Sequence, residues 1–211
     1  MAIDDLLDEH EQSEKVRNWL QANGAGMIGG VVLGLALIGG WQWWQRQQQQ
    51  AQVQTAERYK ATVDMIQAKQ LAPAKARIMS LPNSTYETVA ALALAKAQLE
   101  AGQRDAAIAT LQLARPPEPA LAAIVSQRLG RLLIDAGKPA EALKLLPAAS
   151  TDPETLQVRG DAQLALGHLE EARAAYAGAL THLDVAAPQR RLVELKLSEA
   201  GGTSAQPEAQ T

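Results

Sequence analysis

Three patterns in this 211-residue chain could, by residue type and spacing, carry chemistry. The run GAGMIG, Gly24 to Gly29, matches the G-x-G-x-x-G pattern that cradles a dinucleotide pyrophosphate. That pattern needs a strand before it, a helix after it and an acidic residue about 20 positions on. EKVRNWLQAN precedes it, helical in pattern, and a long apolar run follows, so the match is accidental. The three histidines, His10, His168 and His182, are scattered, and no H-E-x-x-H or G-x-S-x-G motif appears. Glu170 and Glu171 fall on a helix face and read as solvated charge. Without cysteine the chain has no thiolate, disulfide or Cys-ligated zinc. Catalysis needs a nucleophile, base or metal in mutual reach. Nothing here nominates one, so the expectation is a non-enzyme with no cofactor and no metal.

The elements that would have to position such residues point elsewhere. From Gly24 to Trp44 no side chain is charged, and the nearest charges are Arg17 and Arg46. As a helix these roughly 21 positions reach about 31 Å, the thickness of a hydrocarbon core. All four tryptophans, Trp19, Trp41, Trp43 and Trp44, stand at the two ends of the segment, where indoles settle in a bilayer. A cleaved signal would begin with a short basic region, carry an apolar stretch of about 7–15 residues and end in small residues. This run follows the acidic MAIDDLLDEHEQSEK and ends in tryptophan, so it reads as an uncleaved transmembrane helix in contact with the lipid bilayer. Gly26, Gly30 and Gly34 lie four apart and form a smooth stripe along which a neighbouring helix can approach. Residues 1–23 form an acidic head whose two short apolar stripes are out of step, which argues against one continuous helix there. The span is 24–44, and the glutamine-rich 45–54 continues as a helical stalk.

Beyond the stalk the chain is rich in alanine and leucine with helical periodicity. Three segments repeat: LEAGQRDAAIATLQLA, IDAGKPAEALKLLPAA and LALGHLEEARAAYAGAL. Gly102, Gly137 and Gly167 sit where one helix ends and the chain reverses, a place that favours left-handed dihedrals. Ala107, Ala142 and Ala172, five residues on, fall where two antiparallel helices approach most closely. Leu111, Leu146 and Tyr176 fill the gap to the next pair, followed by Ala114, Ala149 and Ala179. Seven residues before each glycine stands a small residue: Ala95, Gly130 and Gly160. The spacing brackets the tetratricopeptide period of 34. A weaker copy precedes these, with helices near 55–68 and 71–80 and Ala74 at the close contact. Pro188 to Glu199 reads as a capping helix. The expectation is an all-α, right-handed solenoid over 55–198, then a disordered tail, 199–211.

The net charge of −3 sits in the head: residues 1–17 carry −4, Arg46 returns +1 and the remainder is neutral. That gives no electrostatic footprint for nucleic acid. Lys15 and Arg17 on one side of the span balance Arg46, Arg58 and Lys60 on the other, so charge leaves the orientation open.

An acidic head, one span that turns Gly-rich and then Trp-rich, and divergent repeats together resemble the YfgM family, the ancillary subunit of the SecYEG translocon. NGAGMIGGVVLGLALIGGWQWW and VRGDAQLALGHLEEARAAYAGAL carry the resemblance. It implies a single-pass inner-membrane protein with a cytoplasmic N-terminus and a periplasmic repeat domain. The implied partners are the SecYEG translocon, a membrane-anchored periplasmic prolyl-isomerase-type chaperone and exported client polypeptides. A regulator whose cytoplasmic head binds a stress-response protein is the alternative. In repeat arrays the first helix of each pair lines the inner face. The register places Lys96, Gln127, Arg131 and Asp161 there, beside Val89, Leu92, Ile124 and Val158, as a candidate partner-binding groove.

Overall fold

The computed structural model describes residues 2–81 and 84–203, which form helices and turns without a strand. In chain order the helices are α1 (Ala2–Gln67), α2 (Leu71–Ile78), α3 (Thr85–Glu100), α4 (Arg104–Leu113) and α5 (Pro119–Asp135). They continue with α6 (Pro139–Leu145), α7 (Pro153–Ala165), α8 (Leu169–His182) and α9 (Arg190–Glu199). Two units separate between Gln54 and Thr55.

The first unit is the greater part of α1. The expected break in residues 1–23 is absent: the helix runs on from Ala2. No proline or glycine interrupts residues 2–23, and the strong helix formers there outweigh a slipped apolar stripe. Gly24 to Gly29 lie inside this helix, so the dinucleotide pattern has neither the preceding strand nor the turn it needs. Val31, Leu33, Leu35, Leu37 and the four tryptophans are all exposed. By length and composition α1 contains one stretch able to cross a membrane. A Cβ built on Gly26, Gly30 or Gly34 would meet nothing within 4 Å, so the stripe is open.

In the second unit α2 packs on α3, α3 on α4, α5 on α6, α7 on α8 and α8 on α9. First helices also touch in series, α3 with α5 and α5 with α7. Each pair turns in the same way. Gly102, Gly137 and Gly167 have φ of +74°, +74° and +78°. The N–H of each glycine donates to the carbonyl three residues back, as Gly102 does to Leu99 at 2.9 Å. The next N–H donates five back, Gln103 to Gln98 at 2.8 Å, which satisfies two carbonyls that the helix end leaves free.

Two further copies of this turn occur, the first between the helices expected near 55–68 and 71–80. Lys69 adopts φ +59°, with Lys69 N–H on the Ile66 carbonyl and Gln70 N–H on Met65. Gly201 (φ +81°) closes α9, with Gly202 N–H on Leu197. The weak first copy is therefore in register, with a lysine in place of the glycine. α9 thus closes with the same turn as the first helices before it. The tail reading is corrected at its start: Ala200 is buried and Gly202 is held by α9. The remainder, from 204, lies outside the described residues.

Counted from the first four of these turns, at Lys69, Gly102, Gly137 and Gly167, the same positions recur. Five residues on, Ala74, Ala107, Ala142 and Ala172 are all fully buried. Nine residues on, Ile78, Leu111, Leu146 and Tyr176 are buried. Ala149, expected in the core, is exposed because α6 ends early. Pro147 pushes the residue before it out of helical dihedrals, and Leu146 is extended (φ −106°, ψ 118°). Seven residues before Gly137 and Gly167, the glycine matches what faces it. A Cβ on Gly160 would sit 2.4 Å from Tyr176 Cε1, whereas at Gly130 it would meet Val158 Cγ1 at 3.2 Å. Gly160 makes room for the tyrosine ring.

Local caps complete the helices. Ser84 Oγ accepts from the Glu87 N–H at the start of α3 (3.3 Å), and Asp152 Oδ2 accepts from the Thr155 N–H at the start of α7 (2.8 Å). Gly160→Ala alone should cost about 1–3 kcal/mol through overpacking. Combined with Tyr176→Leu it should cost clearly less than the sum of the single changes, because the two sites share one volume. Additive denaturation midpoints would refute that pairing. Lys69→Gly should raise stability by about 1 kcal/mol by relieving the left-handed lysine, read as a higher melting temperature of the full chain.

Candidate interaction surface

The inner row of each first helix falls 13, 10 and 6 residues before its turn. It comprises Val89, Leu92 and Lys96 on α3, Ile124, Gln127 and Arg131 on α5, and Glu154, Gln157 and Asp161 on α7. Val158 is one residue out of this row. It is fully buried over Gly130, facing the preceding pair, and is not a groove residue. Gln127 is also corrected: it is buried, and its amide donates to Asp152 Oδ2 (2.6 Å) and Thr155 Oγ1 (3.0 Å). It joins α5 to the N-cap of α7. Val89 and Leu92 are half-buried, and Leu92 packs on the central core. Ile124 and Lys96 are exposed, and Lys96 lies 3.8 Å from Glu100.

Arg131 and Asp161 come together with residues that the sequence reading did not nominate. The Arg131 guanidinium donates to Glu154 Oε1, bridging α5 to α7. Lys196 Nζ on α9 donates to both oxygens of Asp161, at 2.8 and 2.7 Å, and the Tyr176 hydroxyl donates to Asp161 Oδ1 at 2.7 Å. Arg131, Glu154, Asp161 and Lys196, with the side chains of Ile134 and the exposed Leu192, line one depression of about 390 Å³. Counted 13, 10 and 6 back from Gly201, the inner row would fall on Pro188, Arg191 and Leu195, so the repeat spacing carries no signal for Lys196 or Leu192. The depression offers paired charges, two aliphatic side chains and no free nucleophile. Among the described residues no group of three His, Cys, Asp or Glu could hold a metal. Its polar links fix the angle between neighbouring first helices.

Helix pairs closed by left-handed turns, alanine at the contact and a polar inner row define a tetratricopeptide-like repeat scaffold on a membrane-length helix. A family model described as a tetratricopeptide repeat-like domain matches residues 17–202, and the chain belongs to that family. It is similar to the ancillary SecYEG translocon subunit of Escherichia coli K12, 25% identical over 198 residues that cover 90% of this chain and 96% of that protein. The protein of the same name from Haemophilus influenzae is 26% identical over 170 residues, covering 76% of this chain and 83% of the relative. These likenesses bear out the resemblance drawn from the span and repeats. No solved structure matches the chain.

Tyr176 is fully buried, and burial raises its pKa, with the Asp161 hydrogen bond and negative charge acting in the same direction. A raised phenol pKa means that the fold favours the neutral form. This stabilisation is intact below about pH 10, the unfolded value, and is lost as pH rises beyond it. The wild-type chain should therefore lose stability between about pH 9.5 and 11 more steeply than Tyr176→Phe. Equal slopes for the two in urea unfolding would show that the phenol stays neutral or hydrated in both states.

Proposed function

We propose that this chain is a single-pass inner-membrane accessory protein of the SecYEG translocon that assists exported polypeptides by binding rather than by catalysis. The head is cytoplasmic and the repeat domain periplasmic. The observation that carries the reading is the likeness to the Escherichia coli translocon subunit, which takes in the span and the repeats, 90% of this chain and 96% of that protein. A likeness confined to the repeats would fit any scaffold of this family; one that includes the span ties the anchor and the scaffold to one setting.

The parts divide the work by their chemistry. The exposed apolar stretch of α1 holds the chain in the bilayer, and the open stripe of Gly26, Gly30 and Gly34 faces a neighbouring span. The inner row presents Lys96, Ile124 and the Arg131–Asp161 depression to a prolyl-isomerase-type chaperone or an exported client. Apolar patches supply affinity and scattered charges keep binding tolerant, as suits a surface that meets many sequences.

Photo-crosslinkers placed at Val32 in the span and Leu192 in the depression, in intact cells, test this. Val32 should capture translocon subunits, and Leu192 should capture periplasmic proteins, while a probe at the outward-facing Lys144 captures far less. Crosslinks from Leu192 to cytosolic proteins would reverse the orientation. Normal insertion with no translocon crosslinks from Val32 would remove the translocon from the reading.

A further inference from the structure

Away from the inner row, between α2, α3 and α4, lies a partly enclosed cavity of about 180 Å³. Ile78, Leu81, Ala91 and Leu94 form its walls, and all four are buried. Its mouth is open, with Met79 68% exposed and Leu113 51% beside Lys75 and Arg115. Within stands Glu87, only 8% exposed, whose Oε2 has no hydrogen-bond partner among the described residues. The capping role at Ser84 explains part of this carboxyl, since a Ser84 backbone hydrogen bond supports it. It leaves Oε2 unexplained. Thr110, also on the wall, is committed to Gln98 Oε1 at 2.8 Å and does not serve Glu87.

A buried polar atom without a partner is costly, and the apolar side chains of Met79 and Leu113 at the mouth lose water readily when a partner arrives. The two together make an anchor site of the kind that dominates protein interfaces. Lys75 and Arg115 at the rim repel a cationic side chain, and Glu87 repels an acidic one. A phenylalanine would fill the space but leave Oε2 unpartnered. Apolar cavities of about 150 Å³ take a benzene ring, so the volume fits one aromatic ring. Burial pushes the Glu87 carboxyl up, against the opposing effects of Arg115 and Ser84. A phenol suits either protonation state, since its hydroxyl donates to a carboxylate and accepts from a carboxylic acid. The chain already contains such a pair, Tyr176 on Asp161.

We propose that the α2–α3–α4 cavity is a docking pocket for a tyrosine side chain of a partner polypeptide, with its ring between Met79 and Leu113 and its hydroxyl on Glu87 Oε2. The site is separate from the inner row and does not depend on what that row binds.

The test uses the full chain in detergent micelles with methyl-labelled methionine, the Met79 signal being assigned through Met79→Leu. Titration with N-acetyl-tyrosinamide should shift the Met79 methyl saturably, with several-fold tighter binding than N-acetyl-phenylalaninamide. Glu87→Met should abolish that preference. Leu113→Glu, a surface change that leaves the α3 cap intact, should weaken both amides. An unmoved Met79 signal in an otherwise native spectrum, equal affinity for the two amides, or a preference that survives Glu87→Met would each overturn the proposal. So would a Met79 shift that follows detergent concentration alone, which would assign the rim to lipid.

Discussion

The close approach of paired helices at Ala74, Ala107, Ala142 and Ala172 is the constraint on which the repeat unit rests. Each alanine is fully shielded from solvent, so each pair is as tight as a methyl group permits. That contact fixes where the second helix begins. It thereby fixes the left-handed turn five residues earlier and the large residue four later that reaches the next pair. Interiors packed to this density tolerate little change in volume. Variation is therefore compensated locally, as where Gly160 yields the space that Tyr176 fills.

Positions governed by sterics were legible in the sequence. Glycine with positive φ and alanine at a helix contact leave few alternatives, so Gly102, Gly137, Gly167 and their partners could be aligned from type and spacing alone. Lys69 escaped because it takes the same backbone conformation without the residue that announces it. Gly201 escaped because it lies in a Gly-, Ser- and Gln-rich stretch that looks unable to bury anything. The short α6 follows from Pro147, whose effect on Leu146 was present in the sequence but was outweighed by the repeat pattern.

The interaction surface was less legible, for a different reason. A helical register assigns faces at 100° per residue, so a slip of one position moves a side chain from one neighbour to another. Val158 belongs to the interface with the preceding pair, and Gln157 takes the inner position. Nor does register reveal polar contacts between helices distant in sequence: Gln127 with Asp152, and Asp161 with Lys196, are 25 and 35 residues apart. The pocket at Glu87 has no sequence signature beyond the capping box S-x-x-E, which does not say that one oxygen is left over.

Among the described residues, the two ion pairs that join different helices, Arg131 with Glu154 and Asp161 with Lys196, both lie in the C-terminal half of the repeat unit. At the other end Ile66, Ala74, Ile78 and Leu94 share an apolar cluster with no such pair. Hydrophobic attachment weakens on cooling, whereas attraction between partly exposed charges weakens with added salt. The C-terminal half has an apolar cluster of its own around Tyr176 and Val193, so both ends share the temperature dependence of hydrophobic packing, and the C-terminal half adds joints that salt weakens.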